Sequence, residues 1–118
     1  MSKANQTFVR FAIYARSAAD GESRVGEQVS RCISQMAAMH PAWLVAENCI
    51  FVDASYSGSH CTHRPGLTKL LEAAQKQPRP FEYVVMTSTD RLGRHLCEVL
   101  KVTETLRCLG ISLYTLDQ

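Results

Sequence analysis

The stretch FVRFAIYARSAAD, Phe8 to Asp20, is apolar and rich in β-branched and aromatic residues up to Arg16, then turns small and polar toward Gly21. A run of this kind, bounded by turn residues, reads as a buried strand that ends in an arginine. Three more runs repeat the pattern: CIFVD (Cys49 to Asp53), YVVMTS (Tyr83 to Ser88) and ISLYTL (Ile111 to Leu116). Helical periods fill the gaps between them. Val25, Val29, Cys32, Ile33 and Met36 fall on one stripe, which predicts an amphipathic helix that must stop before Pro41. Pro65 suits the first turn of a second helix, with Leu67, Leu70, Leu71 and Ala74 on its buried side and QKQPRP as its end. A third helix carries Leu96, Val99, Leu100, Thr103 and Leu106, and Gly110 is its natural C-cap.

The resulting order, βαβαβαβ, predicts an α/β fold: three layers built on a mainly parallel four-stranded sheet, with right-handed helical crossovers. Open α/β sheets place their sites outside the carboxyl ends of the strands. Those ends are therefore where chemistry should collect.

The composition agrees with one such unit. A chain of 118 residues, 46% apolar and 20% charged, is expected to form a single domain spanning 1–118. Its net charge of +2 excludes a wholesale basic nucleic-acid binder but permits local patches. Arg64, Lys69, Lys76, Arg79, Arg91 and Arg94 form one such patch, against Glu72, Glu82 and Asp90. The opening MSKANQTFVRF has no apolar leader region, and no run approaches the ~18 apolar residues of a membrane span. A cytoplasmic protein with no membrane partner is expected.

Five cysteines, Cys32, Cys49, Cys61, Cys97 and Cys108, are odd in number and lack C-x-x-C pairing, so they read as reduced thiols. Cys32 and Cys49 sit among apolar neighbours and read as core residues, as does Tyr14. Trp43, just after Pro41, is expected to cap a helix–strand junction. His60, Cys61 and His63 lie within four residues, but without a second ligand cluster at zinc spacing they read as a polar loop. No metal or other cofactor is expected.

The first strand delivers Arg16 and the loop SAADGES, the second Asp53 and ASYSGSHCTHR, the third TSTDRLGR with Asp90, Arg91 and Arg94. Arg64, at the mouth of the second helix, belongs to the same rim. Four arginines and two aspartates thus gather at one edge, and the planar arginine fork suits bidentate binding of phosphate. Such a cluster can also neutralise charge that develops as an oxygen attacks phosphorus. Phosphodiester chemistry is the leading reading. A receiver-like domain would need an acidic pocket at these ends, and a flavin site a phosphate loop richer in glycine and hydroxyls.

YAR closing the first strand, Gln28 in the following helix, FVDASYSG, RPGL and DRLGR occur in this order, Phe8 to the C-terminus. In order and approximate spacing they resemble the catalytic domain of serine recombinases, the resolvase and invertase family. The resemblance implies double-stranded DNA as partner, with strand exchange by transesterification through a 5′-phosphoseryl link. It implies no cofactor, and dimers or tetramers in full-length relatives. It further implies that Arg16, Arg64, Arg91 and Arg94 contact the scissile phosphate, that Asp90 orients them or assists proton transfer, that Gln28 supports the site and that Asp53 buttresses the loop.

The family nucleophile stands two residues after the strand-end arginine, where this chain has Ala18. Ser17 comes one residue early, and Ala19 follows. Three readings stand side by side. Ser17 serves as nucleophile, which requires the strand to end by Arg16 so that the hydroxyl can be re-aimed; or cleavage has been lost and a phosphate-binding relic, a DNA- or partner-binding module, remains; or a serine has been exchanged for Ala18, which leaves Ala19 unexplained. Ala73 stands near a position where small resolvases carry a lysine. The long dimerisation helix and DNA-binding domain of family members have no counterpart in these 118 residues, so a catalytic-core unit is expected.

Overall fold

The computed structural model describes residues 9–17, 21–54, 65–88 and 96–116. Four strands, β1 (Arg10–Ser17), β2 (Leu44–Ala54), β3 (Tyr83–Met86) and β4 (Ser112–Thr115), alternate with three helices, α1 (Gly21–Met39), α2 (Pro65–Ala74) and α3 (Leu96–Cys108). The sheet order is β2-β1-β3-β4, and every pairing among these strands is parallel. The expected α/β architecture is therefore present. Side chains alternate across the sheet, so the two faces bury separate sets. Phe11, Ile13 and Val85 meet Cys32 and Met36 of α1 on one face. Ala12, Tyr14, Val84 and Met86 meet Leu70 and Ala74 of α2 and Val102 and Leu106 of α3 on the other.

Local chemistry explains where the helices stop. Gly110 has φ of 81°, its N–H donates to the Arg107 carbonyl, and the Ile111 N–H reaches back to the Leu106 carbonyl. This pair of bonds is a Schellman cap, and Ile111 packs in the same cluster as Leu106. At the end of α1, Trp43 lies against the His40 ring with centroids 4.0 Å apart and against Tyr83 at 4.5 Å, with Tyr114 edge-on at 5.9 Å. Trp43 thus seals the α1–β2 junction as expected, by tying it to β3 and β4.

Three expectations need correction. Ile33, placed on the buried stripe of α1, is 41% exposed, and Leu100 of α3 is 57% exposed while Val102 takes its place in the core. One helix can bury only the central part of its apolar stripe against a sheet, and both residues fall on its margin. The second strand begins at Leu44 rather than Cys49. Its register jumps between Phe11 and Ile13, whose partners are Val45 and Ile50, and Asn48 within the jump has φ of 61°. The bulge explains how Ala46 and Cys49, an odd number of residues apart, are both buried in the same cluster.

Candidate functional site

Arg16 and Asp53 are direct partners across β1 and β2, at the carboxyl end of the sheet. β1 there outlasts its other neighbour: β3 pairs with it only from Phe11 to Ile13. The Arg10 carbonyl accepts from the Glu82 N–H on that flank, and with a period of two the Arg16 backbone groups point the same way. Gln28 of α1 fills the gap. Its side-chain NH₂ donates to the Arg16 carbonyl at 2.9 Å, and its side-chain oxygen accepts from the Arg16 N–H at 3.2 Å. One amide therefore replaces the strand that has ended, satisfies both backbone groups, and ties the second turn of α1 to the tip of β1.

Asp53 forms a second joint. It is 7% exposed, and its two oxygens accept three hydrogen bonds: Oδ1 from the Gly66 N–H at 2.6 Å, Oδ2 from the Leu67 N–H at 2.9 Å and from the Tyr14 hydroxyl at 2.7 Å. The carboxylate caps the free N–H groups of α2 from a neighbouring strand, where the positive end of the helix dipole favours an anion. Such close approach needs glycine. A Cβ on Gly66 would stand 2.8 Å from the Val52 carbonyl carbon, closer still to its oxygen, and 3.0 Å from Asp53 Oδ1.

The structure thus brings Arg16, Gln28 and Asp53 together at one end of the sheet. Arg64, Asp90, Arg91, Arg94 and Ala18 lie outside the described residues, as do His60, Cys61 and His63. The Ser17 side chain lies outside them too. Its backbone belongs to β1 and pairs with Ala54, so the strand runs one residue past Arg16. Among the described residues no three His, Cys, Asp or Glu side chains gather as a metal site, and no helix is long and apolar enough to cross a membrane. Clefts of about 390 Å³ along β2 and α2 and about 450 Å³ beside α3 contain none of the strand-end groups.

Two members of this constellation escaped the sequence reading. Tyr14 was expected only as core, yet its hydroxyl is a donor in the Asp53 joint. A fully buried tyrosine needs a partner for its O–H, and that was the available signal. Gly66 was legible only as part of RPGL, since nothing in a sequence reveals a backbone 2.8 Å from a missing Cβ.

Comparison with known proteins gives a consistent result. The family described as Resolvase, N terminal domain, matches residues 11–118. The N-terminal catalytic domain of TP901-1 integrase superposes with a TM-score of 0.74 at 25% identity, covering 91% of this chain and 76% of that one. The C-terminal catalytic domain of ISC1926 TnpA, an IS607-like serine recombinase, gives 0.74 at 24% identity over 93% and 71%. A resolvase family site-specific recombinase from Streptococcus pneumoniae gives 0.67 at 13% identity over 92% and 72%. The last two identities bear on the fold alone. Curated protein sequences return no match.

Proposed function

The chain belongs to the resolvase family of site-specific serine recombinases, and from that premise we propose that residues 1–118 form one catalytic unit that cuts and rejoins double-stranded DNA. Ser17 acts as nucleophile, because Ala18 offers no hydroxyl. The serine oxygen attacks phosphorus, the bond from phosphorus to the 3′-oxygen breaks, the serine proton is lost, and the leaving oxygen takes up a proton as a free 3′-hydroxyl. A 5′-phosphoseryl link remains, and a new 3′-hydroxyl reverses the step. The energy of the broken bond is conserved, so no nucleotide is needed.

The single observation that supports this reading is the Arg16 end of β1, held by the Gln28 amide on one flank and paired with Asp53 on the other. The backbone that carries the Arg16 guanidinium is thus fixed, which lowers the reorganisation needed when charge develops on the phosphate. Arg64, Arg91 and Arg94 share the phosphate with Arg16, Asp90 orients them or assists the leaving oxygen, and Asp53 buttresses the α2 entrance. Self-association into dimers or tetramers and a cytoplasmic setting complete the proposal.

A second reading has an observation in its favour. A re-aimed Ser17 hydroxyl calls for a strand that has ended by Arg16, whereas the β1 backbone continues through Ser17 and pairs with Ala54. The alternative is a module that holds DNA phosphate without cleaving it. A nicked suicide duplex separates the two. Cleavage by Ser17 yields an alkali-sensitive covalent adduct that Ser17→Ala abolishes. If the parent chain gives none and Ala18→Ser creates one, the binding module is correct; no adduct and no DNA retention in either protein refutes both.

A further inference from the structure

We propose that the outward face of α3 is an interface between two copies of this chain, which lie antiparallel about a two-fold axis passing between Val102 and Thr103. The inference rests on the self-association proposed above and not on DNA cleavage.

α3 buries one side and leaves the other open. Val102 and Leu106 sit in the core, whereas Cys97, Lys101, Glu104 and Cys108 are exposed and Leu100 is 57% exposed. With 3.6 residues per turn, Cys97, Lys101, Glu104 and Cys108 fall within about 60° of one another, on the side opposite Val102 and Leu106. They are spaced four, three and four residues apart, the heptad seam of a two-helix coiled coil.

The face is complementary to itself. An antiparallel pair about this axis sets Lys101 of one copy opposite Glu104 of the other, and the two-fold repeats the contact. Cys97 then meets Cys108 of the second copy, again twice. Leu100 comes to lie against the aliphatic stem of Arg107 from the second copy, which covers the apolar side chain that the fold leaves open. A parallel pair in register would instead set Lys101 against Lys101 and Glu104 against Glu104. Charge therefore selects the antiparallel arrangement. Within each chain Arg107 donates to Glu104 and holds that carboxylate on the face, where it can accept a second cation.

The test is sedimentation of the full chain in reductant, from about 10 µM to about 1 mM. The expected result is a reversible equilibrium of monomer and dimer. Lys101→Glu weakens it by about tenfold, because the two-fold turns both ion pairs into like-charge pairs. Glu104→Lys does the same, and the variant carrying both exchanges restores dimerisation. Both positions are exposed, so all three variants should fold as the parent does. A second measurement uses diamide, which takes the two thiol hydrogens from a facing pair and leaves a disulfide. Helices packed about 8–10 Å apart bring such thiols near disulfide range, whereas Cys97 and Cys108 of one chain stand ~16 Å apart. Peptide mapping of mixed ordinary and isotope-labelled chains is expected to find Cys97 joined to Cys108 across copies. A chain that stays monomeric throughout overturns this interface together with the self-association it rests on. A dimer indifferent to both charge reversals, or linked mainly Cys97 to Cys97, leaves the self-association standing and overturns the α3 interface.

Discussion

Replacing Gly66 by alanine tests the α2 joint most directly. The new methyl would stand 2.8 Å from the Val52 carbonyl carbon and 3.0 Å from Asp53 Oδ1, where ordinary van der Waals contact begins near 3.4 Å. Relief requires α2 and β2 to part by roughly 0.5–1 Å. That displacement stretches the Asp53 bonds, now 2.6 Å to Gly66 and 2.9 Å to Leu67, to the edge of hydrogen-bond range. Overpacking of this kind costs about 1–3 kcal/mol, and weakening bonds to a buried carboxylate adds about 1–2 kcal/mol. Alanine returns about 0.5–1 kcal/mol of helix propensity. A net loss of about 1–4.5 kcal/mol follows, centred near 3 kcal/mol and equivalent to a drop of roughly 10 °C in Tm for a domain of this size. Urea unfolding should show a lower midpoint with an unchanged m-value, because no additional surface is exposed. A variant that melts within about 2 °C of the parent, or above it, would refute the close packing of α2 on β2.

The Gln28 clamp and the cysteines give two further expectations. Gln28→Ala removes both bonds to the Arg16 backbone and should cost about 1–2 kcal/mol in urea unfolding, whereas Gln28→Glu, which sets an anion against the Arg16 carbonyl, should cost more at neutral pH; equal stability of all three proteins would mean that the clamp contributes nothing. Cys97 and Cys108 are exposed and should react with an aromatic disulfide reagent well before the buried Cys32 and Cys49. Burial pushes the Cys49 thiol up, outweighing the opposing pull of Lys76 and Arg10. Its contribution to stability is therefore fully present below the unfolded thiol value of ~8.5 and is lost as pH rises toward the higher folded value, so Cys49→Ala should flatten the alkaline side of the stability curve.

Much of the fold was legible because it depends on local pattern. The stripe from Val25 to Met36, Pro65 at a helix start and Gly110 as a cap all act within one or two turns of chain, and each was found where expected. The misses required knowledge of a neighbour. Ile33 and Leu100 are apolar at helical spacing, yet the sheet covers only the middle of each helix. Glu47 and Asn48 interrupt the apolar run of β2, so the sequence reads as two pieces; only the bulge against β1 joins them.

The candidate site divides in the same way. Sequence alone determined that arginines and aspartates follow the strands, because topology sends every parallel strand's carboxyl end to one edge, and it marked Ala18 as the departure beside Ser17. Tertiary structure alone decided how that edge is held. Gln28 takes the hydrogen-bonding place of an absent strand, and Asp53 collects Tyr14, Gly66 and Leu67 from residues up to 39 positions away. Hydrogen bonds and steric exclusion operate over a few ångströms of space, whereas a sequence records distance only along the chain.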